Sequence, residues 1–252
     1  QPLNIGLFVD ETYDIGRIED VHWNPWYSNK KPFVHYQTTF GRAFVFGRSD
    51  WEYVFNTFAF GYAVGYHFIE RQTGSMNGNF LGIGMDLATN ASILVEQSQP
   101  MGILITNGEF TAFCDADLTF CPSESVDPHH VIVKSTNNGA VKFVNSAFWG
   151  PASQVAEVDG AGTVTFSQCH FDAWDRHLKN GSYVTEGTPA ISQLGGNLIV
   201  SLSDFTQGGD SQTHLSISGG QKAIFTNNVI VDTMGIDGKA TKQHIVNNNA
   251  DG

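Results

Sequence analysis

Apolar and polar positions recur along this chain in one short frame. The segments FVNSAF (143–148), FSQCHF (166–171), VSLSDF (200–205) and FTNNVI (225–230) each begin and end on an apolar residue, with small or polar residues mostly between. ITNGEF (105–110), FLGIGM (80–85), FNTFAF (55–60) and IEDVHW (18–23) fit the same frame. Its first position falls at Phe55, Phe80 and Ile105, each 25 apart (80 − 55, 105 − 80), and again from Val200 to Phe225. The sixth position is always large and apolar, from Trp23, Phe60 and Met85 to Phe205 and Ile230, as an inward stack requires. The third position is often Asn (Asn107, Asn145, Asn227), which tolerates left-handed backbone at a bend and can bond to its equivalent one repeat away.

About ten residues before each frame lies a second apolar run, such as LFVDE, AFVFG, HFIER, ILVEQ and VIVKS. Each repeat therefore predicts a coil of three short strands cornered by Gly and Asn. A single coil cannot bury its own apolar face, so the coils must stack on a shared core. The expected fold is all-β: one single-stranded, right-handed parallel β-helix over residues 1–252, with about eight coils of roughly 25 residues plus loop insertions. A propeller blade would need about 40–45 residues. The chain starts inside a coil, and HIVNNNA near its end opens another, which suggests a piece of a longer protein; loops covering the ends are the alternative.

Strand alternation then sorts the faces. Aligning FVDE, FVFG, FIER, LVEQ and IVKS with Val9, Val45, Ile69, Val95 and Val133 inward puts Asp10, Glu70 and Glu96 in one outward column and Phe8, Phe44, Phe68 and Leu94 in another. With coils ~4.8 Å apart, Glu70 and Glu96 would lie about 5 Å apart and Asp10 and Glu70 about 10 Å apart. Retaining glycosidases hold their carboxyls about 5–5.5 Å apart and inverting ones about 6.5–9.5 Å. A one-residue slip would turn this column to the other face. Glu109 shares a different outward column with His22, His170 and Asp204, and Asp50 and Glu52 sit at a turn beside Arg48; structural roles serve for these as well. Long insertions follow Trp23, Phe110 and Phe171, all leaving one corner, where they can wall a groove.

Composition adjusts this picture little. The 252 residues are 41% hydrophobic and 15% charged, with 27 glycines, which suits strands and turns. The net charge of −12 argues against a nucleic-acid partner and an unaided polyanionic substrate. No apolar run is long enough to span a membrane, and no signal peptide is seen. Cys114 and Cys121 bracket a short loop and could pair, or all three cysteines, with Cys169, are thiols. The sequons at Asn90 and Asn180 carry little weight in a chain this rich in Asn.

The motifs GLFVDETYDIGRIEDVHWNP, GRSDWEYVFNTFAFGYAVGY, NGNFLGIGMD and VEQSQPMGILITNGEF resemble the pectate-lyase-superfamily (glycosyl-hydrolase-28-related) right-handed β-helix proteins, over most of the chain. That resemblance implies the fold. The superfamily holds lyases, hydrolases, epimerases and phage tailspikes, so activity stays open. Asn-Thr-Asp, Asp-Asp, Gly-His-Gly and Arg-Ile-Lys signatures are missing, and Arg17–Glu19 is only a near miss, so no catalytic residue carries over. The leading expectation is a secreted enzyme, extracellular or periplasmic, that hydrolyses a polysaccharide or oligosaccharide. Glu70, Glu96 and Asp10 would do acid/base work, Trp26, Tyr27, Trp51, Phe44 and Phe68 would stack on sugar rings, and Arg48 would join them in binding substrate. One rival is a non-catalytic structural, adhesive or glycan-binding module. Another is a calcium-dependent lyase, with Asp115 and Asp117 in CDAD as candidate ligands or as a plain solvated loop. No other cofactor is expected.

Overall fold

A computed structural model of the chain describes residues 1–114, 120–208, 213–231 and 234–247. Asp115 and Asp117 lie outside them. The fold is the expected right-handed parallel β-helix, with nine coils rather than eight. The first sheet stacks nine strands, from Ile5–Val9 to Ile236–Gly238; the second stacks nine, from Arg17–Glu19 to Gln243–Asn247; the third stacks eight, from His22–Trp23 to Val229–Ile230. Neighbours within each of these sheets are parallel and come from successive coils. Among the described residues the ninth coil contributes only to the first two sheets.

The apolar frame is the core. Phe80, Ile105, Phe143, Phe166, Val200 and Phe225 are in register in the second sheet, and all are buried. In the third sheet Phe110, Phe148, Phe171 and Phe205 stack with ring centroids 5.3, 5.5 and 4.7 Å apart. Offset stacking adds to the area these rings bury, so each column is both filler and register lock. Between the two columns the backbone turns through a left-handed residue in each of the first eight coils. These are Asp20, Asn56, Gly82, Asn107, Asn145, Gln168, Leu202 and Asn227, with φ between 48° and 61°. Asn tolerates this conformation, and the stacked amides also bond: Asn145 Nδ2 donates to Asn107 Oδ1 at 2.7 Å. Leu202, with neither advantage, holds the same bend, so packing of the flanking strands sets it.

Coil 2 departs from the expected frame by one residue. Val54, not Phe55, pairs with Phe80; Ala59, not Phe60, pairs with Met85; Asn56, not Thr57, is left-handed. The spacing is therefore 26 (80 − 54), and Phe55 and Phe60 point outward. The run of aromatics there lets two frames fit equally well.

The three insertions leave the corner between the third and first sheets, as expected. Residues 24–41 carry the helix Lys31–Phe40, which docks through buried Val34, Gln37 and Thr38; Gln37 Nε2 donates to the Gly61 carbonyl at 2.9 Å. Residues 112–128 meet a hairpin of 173–190 (His177–Lys179 with Ser182–Val184) at a bridge between Val126 and Leu178. Cys114, Cys121 and Leu178 form a small buried cluster beneath.

Candidate functional site

The structure does not gather Asp10, Glu70 and Glu96. In the first sheet Val9 pairs with Phe46, Phe46 with Phe68, Phe68 with Val95 and Val95 with Val133. The next column is therefore Asp10, Gly47, Ile69, Glu96 and Lys134. Glu70 falls one residue past it, exposed, in the turn beyond Phe68. The slip occurs where AFVFG and HFIER mimic FVDE while sitting one step out of phase. It also turns Phe44 and Phe68 inward: both are fully buried core residues, Phe44 stacked on Tyr66 at 4.8 Å and Phe68 on Phe46 at 5.4 Å. Neither ring can meet a sugar.

The remaining first-sheet acids serve the fold. Asp10 accepts the Arg48 backbone N–H at 2.9 Å and Arg71 Nε at 3.1 Å. Burial pushes its pKa up, but these donors, with the Glu11 backbone N–H and the Arg71 charge, outweigh it and hold the carboxyl below its usual range, which suits a fixed anion rather than a proton donor. Glu96 bonds to His67 Nε2 at 2.8 Å, and that imidazole is almost wholly buried. The outward column here, Val45, His67, Leu94 and Ile132, is sealed because each side chain roofs its neighbours one coil away.

The third sheet is different. Its outward columns contain gaps. In register along one column run Phe58, Gly84, Glu109, Ala147, His170 and Asp204. Along the next lie Phe60 and Asp86, Thr111 and Trp149, and Asp172 and Thr206. Gly84 and Ala147, the smallest members of the column, flank Glu109, and the Phe58 ring leans across Gly84, 2.9 Å from where a Cβ would stand. Over Gly84 sits a cavity of about 330 Å³ lined by Asn56, Phe58, Asp86, Glu109, Thr111 and Trp149 among others. Over Ala147 sits a second, of about 370 Å³, lined by Asn107, Glu109, Asn145, Gln168, His170 and Asp204 among others. Asn107 and Glu109 belong to both, so the two form one groove across coils 2–7.

Its polar groups are fixed by pairs from coil to coil. Thr111 Oγ1 donates to Asp86 Oδ1 at 2.6 Å, Trp149 Nε1 to Glu109 Oε1 at 3.2 Å, and Thr206 Oγ1 to Asp172 Oδ1 at 2.9 Å. His170 Nδ1 pairs closely with Asp204. Among the described residues no Lys or Arg lines either cavity, so the groove is acidic and favours a neutral or cationic ligand over a polyanion. The column of Glu109, His170 and Asp204 was readable from the repeat. Asp86 and Trp149 were not singled out, although alternation turns the residue after inward Met85 or Phe148 outward.

Trp26 is exposed and leans on Phe60 at 5.4 Å, near the groove's coil-2 end; Tyr27 is almost fully exposed on the same insertion. Trp51 and Arg48 come together at another corner, between the first and second sheets. There Arg48 Nη2 holds Asp50 at 2.7 Å, and a cavity of about 310 Å³ is lined by Tyr13, Arg48, Trp51 and Met101 among others. Neighbouring Glu52 is buried against Ser49 Oγ, and burial raises its pKa. Burial likewise pushes the Cys169 thiol up to about 11, which removes it as a nucleophile. Among the described residues no three of His, Cys, Asp and Glu gather as metal ligands.

Comparison with protein-family models, with curated proteins and with solved structures finds no match for this chain.

Proposed function

We propose that the chain is a carbohydrate-active β-helix protein, allied to the pectate-lyase superfamily it resembles. It acts outside the cell, seats a neutral polysaccharide lengthwise along the third sheet, and hydrolyses it with Asp86 and Glu109. The groove carries this reading: aromatic Phe58 and Trp149 line one cavity with two carboxylates, Asp86 and Glu109. Flat rings bind the apolar faces of sugars, and a rigid sheet fixes the acids. Asp86 and Glu109 are one coil and two residues apart, on the order of 8 Å between α-carbons by strand geometry. Reducing-end release across a panel of neutral polysaccharides tests it. Glu109→Gln and Asp86→Asn should each lower the rate at least about 100-fold, the usual contribution of an acid or base. If both variants keep the full rate, hydrolysis at this site is wrong.

One observation favours a second reading, a glycan-binding module without cleavage. Both carboxylates already accept a protein hydrogen bond, the arrangement of a preorganised acceptor row. Binding that survives both substitutions without any product supports that reading. A calcium-dependent lyase would instead give unsaturated, ultraviolet-absorbing products abolished by chelator. The acidic groove weighs against the polyuronates such enzymes cleave.

A further inference from the structure

The cavity at the corner between the first and second sheets stands apart from the groove. Its floor is a network binding four coils together. Gln99 Nε2 donates to Asp50 Oδ1 at 2.6 Å and to the Ser75 carbonyl at 2.8 Å, and Asn77 Nδ2 donates to Gln99 Oε1 at 2.7 Å. Asp50 N–H donates to the Thr12 carbonyl at 3.0 Å, and Trp51 N–H to Asn77 Oδ1 at 3.2 Å. Stability of the bend explains these contacts. It does not explain the rim, where Tyr13, Trp51 and Met101 are 60, 58 and 61% exposed. Trp51 also takes a left-handed φ of 54°, a conformation Gly or Asn would hold with less strain. A large ring thus faces water from a strained backbone position whose N–H is tied to Asn77.

We propose that this cavity is a second saccharide-binding site, for a short neutral sugar segment. Tyr13 and Trp51 supply two ring faces, and the Arg48 guanidinium lies 5.7 Å from the Tyr13 centroid, fixing that ring. Asp14, Asp50, Asn77 and Gln99 line the same cavity and carry polar atoms for sugar hydroxyls. Asp14 keeps one carboxylate oxygen beyond the one that accepts the Ile15 N–H. Arg48 is already balanced by Asp50, so the site holds no spare positive charge for an anionic ligand. Three large apolar or aromatic side chains, Tyr13, Trp51 and Met101, stand among five polar ones, a mixed lining that suits a hydroxyl-rich ligand. Its separate corner means that it would hold the polymer at a distance from the groove and not build the reacting centre.

Indole N–H resonances test this directly, with cellohexaose, mannohexaose and xylohexaose as probes. Trp51→Phe and Trp149→Phe each delete one signal and so assign the reporters of the two sites. At least one probe should shift the Trp51 signal saturably. Tyr13→Ala should weaken that response about tenfold or more, and Tyr13→Phe should keep it. The proposal is overturned if no probe moves the Trp51 signal, or if Tyr13→Ala leaves its response unchanged. A shift of Trp149 alone supports the groove and sinks this site; a shift of Trp51 alone does the reverse.

Discussion

The outer faces of the first and third sheets obey the same alternation, yet across coils 2–5 the first is closed while the third is open. On the first sheet the outward column reads Val45, His67, Leu94, Ile132, all at 9% exposure or less. On the third it reads Phe58, Gly84, Glu109, Ala147, His170 and Asp204, with cavities over the two smallest members. Rungs about 4.8 Å apart leave no room between medium-sized neighbours, so a uniform column seals itself. Small residues set between polar ones leave pockets with fixed walls. Function on a solenoid thus depends on where side chains are missing as much as on where acids are present.

The most severe break removes the core that both faces share. Phe148 stacks between Phe110 and Phe171 and meets Phe143 and Phe166 edge-on. Phe148→Ala should cost about 3–5 kcal/mol by chemical denaturation. A loss under about 1 kcal/mol would mean that the column is not close-packed. Next comes Asp10→Asn, which leaves Arg71 without its ion pair and weakens the bond to the Arg48 amide, costing on the order of 1–2 kcal/mol at neutral pH. The Asp10 pKa is lowered by folding. Its contribution is therefore full above the unfolded carboxylate value of about 4 and is lost as pH falls through the folded value. Stability curves of the two proteins should converge in acid; a constant gap across that range would contradict the fixed-anion role.

A third change makes the open face resemble the closed one. Ala147→Leu fills the floor between Glu109 and His170. Saccharide affinity in the groove should fall about tenfold or more, while stability moves within about 0.5 kcal/mol, as for other surface positions. Isothermal titration beside a melt separates the two. Equal affinity would place the ligand elsewhere.

How much of this was legible follows from where the pattern is unique. The second and third sheets were readable because each frame joins two inward columns across one bend, so six positions must agree together. Only coil 2 slipped there, where Phe55, Phe58 and Phe60 offer extra apolar choices. The first-sheet strands are nearly apolar throughout, and apolar runs do not reveal their own phase. Val45 and His67 point outward although the alignment made Val45 inward and left His67 unplaced; Phe44 and Phe68 point inward although they were read as outward. Two such slips were enough to assemble an acidic column from Asp10, Glu70 and Glu96. The groove depends on Gly84 and Ala147, and a small residue in a frame gives no sign of whether it leaves an opening. The corner cavity was half visible: Trp51 and Arg48 stood together in the sequence, but Tyr13 and Met101 come from other coils.

The mildest test sharpens why the first sheet stays closed. His67 is the one ionisable member of that sealed column, with Nδ1 buried and unpartnered and Nε2 bonded to half-exposed Glu96. Burial lowers its pKa, and the Glu96 carboxylate only partly opposes this. An imidazole kept neutral by folding leaves stability whole above its ordinary pKa of 6.5 and erodes it as pH falls below that, until the folded value is reached. His67→Leu continues the Val45–Leu94 ladder and returns Glu96 to water. At pH above 7.5 it should change stability by less than about 1 kcal/mol, because a buried polar pair and a well-packed apolar residue are close in free energy. Toward pH 5 the variant should become the more stable protein, since the cost of keeping that ring uncharged disappears. Melting curves at the two pH values decide it. Parallel losses at both would show that the imidazole holds the column through its hydrogen bond, and that closure of this face depends on a polar tie rather than on packing.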